Sequence, residues 1–125
     1  MRTWIEIITE SSGFEVPILY HGTDRESAEN LIANGWTPNT WGQGGNMGQA
    51  RYLYLTNGRE NALWFAQEKG EDCVLEVTGV PLSFLNVDPE DGFGDTVEEE
   101  LTSEHGLPGN VVLTKPLPAS HFRIV

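Results

Sequence analysis

Short apolar runs alternate along the chain with segments rich in glycine, asparagine and acidic residues, which predicts several short strands. Strands are predicted for the apolar runs over residues 4–9, 16–20, 52–56, 73–77, 111–114 and 122–125. Residues 25–34 and 60–67 instead carry apolar side chains at helical spacing. Strands in both halves with two short helices between them predict an α+β fold and not a doubly wound sheet.

The first predicted helix has a signal at each end, since Asp24 can cap its N-terminus and Gly35 follows its last residue. Residues 36–50 contain glycines, asparagines and tryptophans without a regular period, which predicts an ordered loop with a functional role. Residues 88–94 predict an acidic, turn-rich loop. Residues 96–104 fit a helix or a coil equally well.

Length and charge limit the possible functions. A chain of 125 residues with 38% hydrophobic content can bury one modest core, so we expect a single domain over residues 1–125. The net charge of −12 disfavours general binding to a phosphate backbone. Most acidic residues lie between residues 68 and 104. They form either a solvated face or a surface that binds a basic protein partner or mimics the charge of DNA, and both interpretations remain open.

Cys73 is the single cysteine, so it cannot form an internal disulfide, and no histidine or cysteine lies beside it at metal-ligand spacing. No metal site is expected. The first residues lack an apolar run of signal-peptide length, and no stretch approaches the ~18 apolar residues that span a membrane. We therefore expect a soluble, cytoplasmic protein that does not engage a membrane.

Two segments carry candidate chemistry. His21 and Gly22 stand at the end of an apolar run and just before a helix, where glycine permits close approach of a ligand to the backbone. A lone histidine at such a place can equally be structural. Tyr54, on a predicted strand, could face Trp64 or Phe65 on the next helix across a flat slot that suits a planar ring, although ordinary core packing has the same pattern.

The order and spacing of these segments resemble the PARP-like and diphtheria-toxin-like ADP-ribosyltransferase superfamily. The shared order is Tyr-His-Gly-Thr at 20–23, a helix and a glycine-rich loop, Leu-Tyr-Leu-Thr at 53–56, Ala-Leu-Trp-Phe-Ala at 62–66 and Val-Leu-Glu-Val at 74–77. The resemblance covers residues 19–77 in detail, with a looser match through Pro-Leu-Pro at 116–118. It implies two short antiparallel sheets that form a cleft for NAD+, with two or three small helices.

The resemblance also implies roles for the matching residues. His21, a catalytic candidate, would hydrogen-bond a ribose hydroxyl of NAD+, and the backbone of Gly22 would pair with the nicotinamide carboxamide. Tyr54, the second catalytic candidate, would stack on the nicotinamide ring, and Trp64 or Phe65 would cover the other face of that ring. Further contacts to NAD+ are implied for Tyr20, Thr23, Gly44 and Asn46, the last two in a loop over residues 41–49 that would cover the dinucleotide.

A third polar residue is implied, because the bond to nicotinamide breaks through a state with positive charge that the site must stabilise. PARP-type members have a glutamate just before a strand that leads to a proline-rich ending, and Asn110 stands there. In the smaller rifamycin-modifying transferases an aspartate in a loop does the equivalent work, and Asp88 stands at a similar place. We favour Asp88 over Asn110, although an aspartate before Pro89 is also a common turn former.

The expected function is therefore that of a mono-ADP-ribosyltransferase, which transfers ADP-ribose from NAD+ to an unidentified acceptor and releases nicotinamide. With Asn110 where PARP-type members have glutamate, we expect a single transfer or none, and no polymer. Two alternatives stay open: an NAD+ glycohydrolase, for which water is the acceptor, and a non-catalytic protein that blocks a basic partner through residues 98–100. Arg51 and Arg59 are the basic residues expected near the cleft.

Overall fold

The structure is a computed structural model, which describes residues 14–38, 52–102 and 108–125. Within these ranges its elements are β1 (Leu19–Thr23), α1 (Arg25–Asn34), β2 (Leu53–Thr56), α2 (Arg59–Glu68), β3 (Cys73–Val77), β4 (Leu85–Val87), α3 (Val97–Leu101), β5 (Asn110–Leu113) and β6 (Phe122–Ile124). Single 3-10 turns over Leu82–Phe84 and Ala119–His121 precede β4 and β6. The predicted α+β class is confirmed.

The six strands form one open antiparallel sheet in the order β4-β5-β2-β1-β3-β6. Strand β1 pairs along its whole length with β3, and β2 pairs along its whole length with β5. Between β1 and β2, by contrast, the ladder contains the single residue pair Tyr20–Thr56. The expectation of two separate sheets is therefore wrong, because this pair joins two three-stranded halves into one sheet.

Strand β1 lies three residues later than the apolar run over residues 16–20 predicted. Its second half is polar in composition, yet His21 and Thr23 are buried. All five of its residues pair with β3, from Leu19 opposite Val77 to Thr23 opposite Cys73. Pairing across the sheet thus outweighs the low strand propensity of a histidine-glycine segment.

Helix α1 has the bounds that its end signals predicted. The Asp24 side chain accepts a hydrogen bond from the Ser27 backbone N–H at 2.7 Å, which satisfies one of the free donors of the first turn. Gly35 has a φ of +74°, and its N–H donates to the Leu31 carbonyl at 2.8 Å. Trp36 then pairs with Leu117 through two backbone hydrogen bonds of 2.9 Å, which fixes the chain after the helix against the C-terminal segment.

Residues 96–104 fitted a helix or a coil equally well in the sequence. In the structure, helix α3 occupies Val97–Leu101 within this segment. Thr96 caps it, since its hydroxyl accepts from the Glu99 N–H at 3.1 Å and donates to the Glu99 carboxylate at 3.2 Å. The Thr96 hydroxyl thus satisfies one of the free N–H donors of the first turn. Strand β4 was not predicted, because three residues with one apolar residue on each side of Asn86 give too short a pattern.

The buried core lies between the sheet and its helices. Helix α1 packs against β3, β6 and the 3-10 turn before β6, whereas α2 packs against β1, β2 and β3 and α3 packs against β4 and β5. The largest fully buried apolar side chains are Leu19, Leu75, Leu113, Leu117, Val74, Val77, Val111 and Val112. No helix among the described residues has the length and apolar composition to cross a membrane. The strand predicted over residues 4–9 lies outside the described residues.

Candidate functional site

A cavity opens where β1 and β2 separate. Its volume is about 190 Å³, which is below the roughly 300–1,000 Å³ of typical small-molecule pockets. A cavity of this size, as the described residues form it, has room for one ring and its neighbouring groups and not for a whole dinucleotide. The cavity is lined by Tyr20, His21, Gly22, Tyr54, Leu55, Thr56, Ala62, Phe65, Lys69, Asp88, Glu90, Asp91 and Asn110.

His21 joins the two strands that border the cavity. In an unbroken antiparallel ladder Tyr54 would lie opposite Gly22, but here the Tyr54 carbonyl oxygen accepts a hydrogen bond of 2.7 Å from the His21 ring. Because a carbonyl oxygen can only accept, Nδ1 of His21 carries the hydrogen. Burial lowers the pKa of His21 from 6.5 to about 4, so the ring is neutral at pH 7. Its Nε2 is then a hydrogen-bond acceptor, suited to a hydroxyl group.

Gly22 lines the cavity and also determines how closely α2 packs on β1. A Cβ atom at this position would lie 1.8 Å from the Ala62 carbonyl oxygen and 3.0 Å from the Ala66 nitrogen. No side chain fits there. The close packing of α2 is thus sufficient to explain why residue 22 is glycine. The expected pairing of the Gly22 backbone with a carboxamide remains a prediction.

Of the three aromatic residues that were candidates for contact with the nicotinamide ring, two line the cavity, and Tyr20 lines it as well. Tyr54 and Phe65 border it, whereas the Trp64 side chain lies outside and is 53% exposed. Trp64 meets Phe65 edge to face, with ring centroids 5.2 Å apart and an interplanar angle of 72°. The sequence did not favour either Trp64 or Phe65 for covering a ring opposite Tyr54. Of the two, Phe65 lines the cavity and Trp64 does not.

Both candidates for the third polar residue are at the cavity, and they are neighbours. Strands β4 and β5 pair Val87 with Val111, so Asp88 and Asn110 follow and precede that pair on adjacent strands. The Asp88 N–H donates to the Asn110 carbonyl at 3.1 Å. The Asn110 side-chain oxygen accepts from the Asn61 amide at 3.1 Å.

Asp88 also has the turn-forming role that its position before Pro89 suggested. Its Oδ1 accepts from the backbone N–H groups of Glu90 at 2.8 Å and Asp91 at 3.2 Å. Glu90 and Asp91, which this turn holds, line the cavity together with Asp88. Burial, followed by the charges of Glu90 and Asp88, raises the pKa of Tyr54, so its phenol stays protonated at neutral pH.

Glu100 supports this corner of the site, and its role was not recognised from the sequence. Its side chain is fully buried, and Oε1 accepts from the N–H groups of Phe93 at 2.8 Å and Gly94 at 2.7 Å. Its Oε2 accepts from the Asn110 N–H at 2.8 Å. The idea that residues 98–100 form one exposed acidic surface is therefore wrong for Glu100, because this carboxylate binds the acidic turn to β5.

Lys69 also lines the cavity, and it was not among the residues selected from the sequence. Among the described residues that line the cavity it is the one lysine or arginine. Arg59, which was expected near the cleft, is exposed and outside the cavity lining, and Arg51 lies outside the described residues. The sequence could have indicated Lys69, because it is the single lysine or arginine within the acidic stretch over residues 68–104.

The remaining candidates do not border this cavity as the described residues form it. Thr23 is buried at the end of β1, opposite Cys73, and is not part of the lining. Gly44 and Asn46 lie outside the described residues. Within the described ranges, no group of three histidine, cysteine, aspartate or glutamate side chains is arranged to hold a metal ion. No model of a known protein family matches the chain, and comparison with curated proteins finds no match either.

Proposed function

We propose that the chain binds NAD+ at this cavity and transfers its ADP-ribose group to an acceptor, with release of nicotinamide. One observation carries the proposal. His21, Tyr54, Phe65, Asp88 and Asn110 were selected from motif order along 90 residues of chain, and the fold brings all five to one cavity. Trp64 and Thr23, which the same motifs included, lie outside the lining. Convergence of the other candidates on one cavity supports a ligand site there.

The chemistry of the lining fits the nicotinamide ribose half of NAD+. The neutral His21 offers Nε2 as an acceptor for a ribose hydroxyl, since Nδ1 is bonded to Tyr54. Tyr54 and Phe65 provide apolar ring faces for a planar group. Asp88 supplies negative charge beside them, which stabilises positive charge that develops on the ribose.

The proposed reaction is a substitution at C1′ of the ribose. The bond from C1′ to the nicotinamide nitrogen breaks, and its electron pair leaves with nicotinamide, which becomes neutral. A nucleophile of the acceptor donates an electron pair to C1′ and loses its proton to water. Asn110 cannot act as a base, so the site supports one transfer and not elongation of a polymer.

The test is calorimetric titration of NAD+ into the wild-type chain, Tyr54→Ala and Tyr52→Ala, with nicotinamide release followed in the same samples. Tyr52→Ala is the matched control, because this tyrosine precedes β2 and does not line the cavity. We expect binding that is lost in Tyr54→Ala and kept in Tyr52→Ala. Absence of NAD+ binding by the wild-type chain would overturn the proposal.

The same samples separate transfer from hydrolysis. Free ADP-ribose in an amount equal to the nicotinamide released identifies water as the acceptor, as in a glycohydrolase. Nicotinamide release that increases when a candidate acceptor is added, with a matching deficit of free ADP-ribose, identifies transfer.

A further inference from the structure

Helix α2 carries an exposed tryptophan on the side that faces away from the sheet. Trp64 is 53% exposed, more than any other large apolar side chain among the described residues. With about 100° per residue around the helix axis, it points about 180° away from Ala62 and Ala66, which are fully buried. Single exposed apolar residues are common on protein surfaces, so the groups around Trp64 decide what this one can bind.

Two carboxylates flank Trp64 on the same side of the helix. Glu60 precedes it and Glu68 follows it by four residues, so each lies within about 6 Å along the axis and about 40° around it. Both side chains are exposed. Within the residues that the structure describes, the ion pairs lie on α1 and between β3 and β6, so neither carboxylate has a cationic partner.

The basic residues at the two ends of α2 point in other directions. Arg59 is about 140° from Trp64 around the helix axis, and Lys69 lines the cavity. The α2 outer face, defined by Glu60, Trp64 and Glu68, therefore combines an aromatic ring with two negative charges that no cation of the helix offsets.

Charge limits the partners that fit the α2 outer face. A second copy of the chain, which also carries a net charge of −12, would bring the same carboxylates against each other. The phosphates of nucleic acids and of anionic lipids are repelled as well. An arginine guanidinium, by contrast, stacks on an indole ring and donates hydrogen bonds to carboxylates beside it.

We propose that the α2 outer face binds an arginine-containing segment of a basic protein, with a guanidinium group on Trp64 between the carboxylates of Glu60 and Glu68. The inference goes beyond the proposed function, because this surface lies outside the cavity and its occupation needs no NAD+. The surface and the cavity are neighbours, since Trp64 meets Phe65, which lines the cavity, at 5.2 Å between ring centroids.

The test uses a short synthetic peptide of alternating arginine and serine, and the same peptide with citrulline, which keeps the shape of arginine without its charge. Dissociation constants are measured by fluorescence anisotropy, without NAD+, for the wild-type chain, for Trp64→Leu, and for Glu60→Gln combined with Glu68→Gln. Leucine keeps an apolar side chain beside Phe65, and glutamine keeps the length of glutamate, so the fold is retained.

The matched control is Glu26→Gln combined with Asp95→Asn. These are two exposed acids outside α2, so this variant loses the same amount of charge as the double glutamine variant of α2. It separates binding to the α2 outer face from a general attraction between an acidic protein and a basic peptide.

We expect the arginine peptide to bind at least about tenfold more tightly than the citrulline peptide, because citrulline is neutral. Trp64→Leu and the double glutamine variant should each weaken binding of the arginine peptide by about tenfold, as for residues at the centre of an interface. The control variant should change it by less than about twofold at physiological ionic strength, where distant charges are screened.

Equal losses in the double glutamine variant and the control variant would overturn the proposal, because binding would then follow net charge alone. Equal affinities for the arginine and citrulline peptides, or no binding by the wild-type chain, would overturn it too. Sedimentation without peptide tests the other occupant, since a dimer that Trp64→Leu abolishes would show that a second copy covers this face. These outcomes are independent of the NAD+ titration, so failure of either proposal leaves the other standing.

Discussion

The imidazole Nδ1 of His21 on β1 donates to the carbonyl oxygen of Tyr54 on β2 at 2.7 Å, so the two candidate donor-site residues are bonded directly to one another. This contact spans the strands that share only the Tyr20–Thr56 pair in their ladder. It requires a hydrogen on Nδ1, and burial, which lowers the pKa of His21 to about 4, keeps the ring neutral at pH 7.

His21 should make the stability of the fold depend on pH between about 6.5 and 4. The pKa of His21 is lowered from 6.5 to about 4 in the folded chain, so the unfolded chain binds a proton first as pH falls. The free energy of unfolding is highest above pH 6.5 and decreases by on the order of 3 kcal/mol down to pH 4. The midpoint of thermal unfolding, measured against pH, should follow this trend.

His21→Gln should flatten this part of the pH profile. His121→Gln is the control, since His121 also bonds a backbone carbonyl, that of Thr78 at 2.6 Å, and the decrease due to His21 should persist there. The Ser27 N–H lowers the pKa of Asp24 below its ordinary 3.8, so the stability that Asp24 contributes is lost only at still lower pH. An identical slope in wild type and His21→Gln would contradict the prediction.

Gly22→Ala should destabilise the fold by about 3 kcal/mol or more, because the added Cβ would meet the Ala62 carbonyl of α2 at 1.8 Å. Urea unfolding measures the loss. Gly70→Ala is the matched comparison: its φ is +78°, but no atom lies within 4 Å of the added carbon. Backbone strain alone should then cost about 1 kcal/mol. Equal losses in the two variants would show that α2 does not pack on Gly22.

Glu100→Gln should lower the free energy of unfolding by about 3 kcal/mol, since the amide keeps the shape of the side chain but cannot accept all three backbone N–H groups. Glu99→Gln, on the exposed side of the same helix, should change it by less than about 0.5 kcal/mol. Chemical denaturation of both variants is the measurement. Similar values for the two would mean that Glu100 is not the anchor of the acidic turn.

Two substitutions of Asp88 should separate its structural role from its charge. Asp88→Asn keeps an oxygen that can accept from Glu90 and Asp91, so we expect wild-type stability and a loss of nicotinamide release. Asp88→Ala removes the acceptor as well, and it should also cost about 1–2 kcal/mol of stability. Thermal unfolding and nicotinamide release are measured for both. Full activity in Asp88→Asn would assign the third role to Asn110.

Local signals in the sequence predicted the elements that have their own end markers. Helix α1 was predicted to the residue because Asp24 and Gly35 form their contacts within four residues of chain. Strand β1 differs from the predicted strand because its extent depends on β3, 50 or more residues away along the chain. A register set by partner strands is not contained in the local pattern.

In the candidate site, too, residues within local motifs were predicted, whereas residues placed by distant parts of the chain were not. His21 and Tyr54 were found by motif order, and Asp88 was favoured over Asn110. The structure does not separate these two candidates, because antiparallel pairing of β4 and β5 brings both to the cavity. Lys69 and Glu100 belong to the site only through residues distant in sequence. A run of glutamates does not reveal which member is buried, since that depends on the N–H groups of Gly94 and Asn110 meeting at Glu100.

The single Tyr20–Thr56 pair has a mechanical consequence. Each half of the sheet retains complete ladders on its own side, so a change in the angle between the halves disturbs one residue pair and the His21–Tyr54 bond and leaves the other strand contacts in place. Helix α2 packs on β1 and β3 of one half and on β2 of the other, so it bridges the joint that the β1–β2 ladder leaves almost unpaired. The two halves are therefore held together by helix packing and by the His21–Tyr54 bond more than by strand pairing.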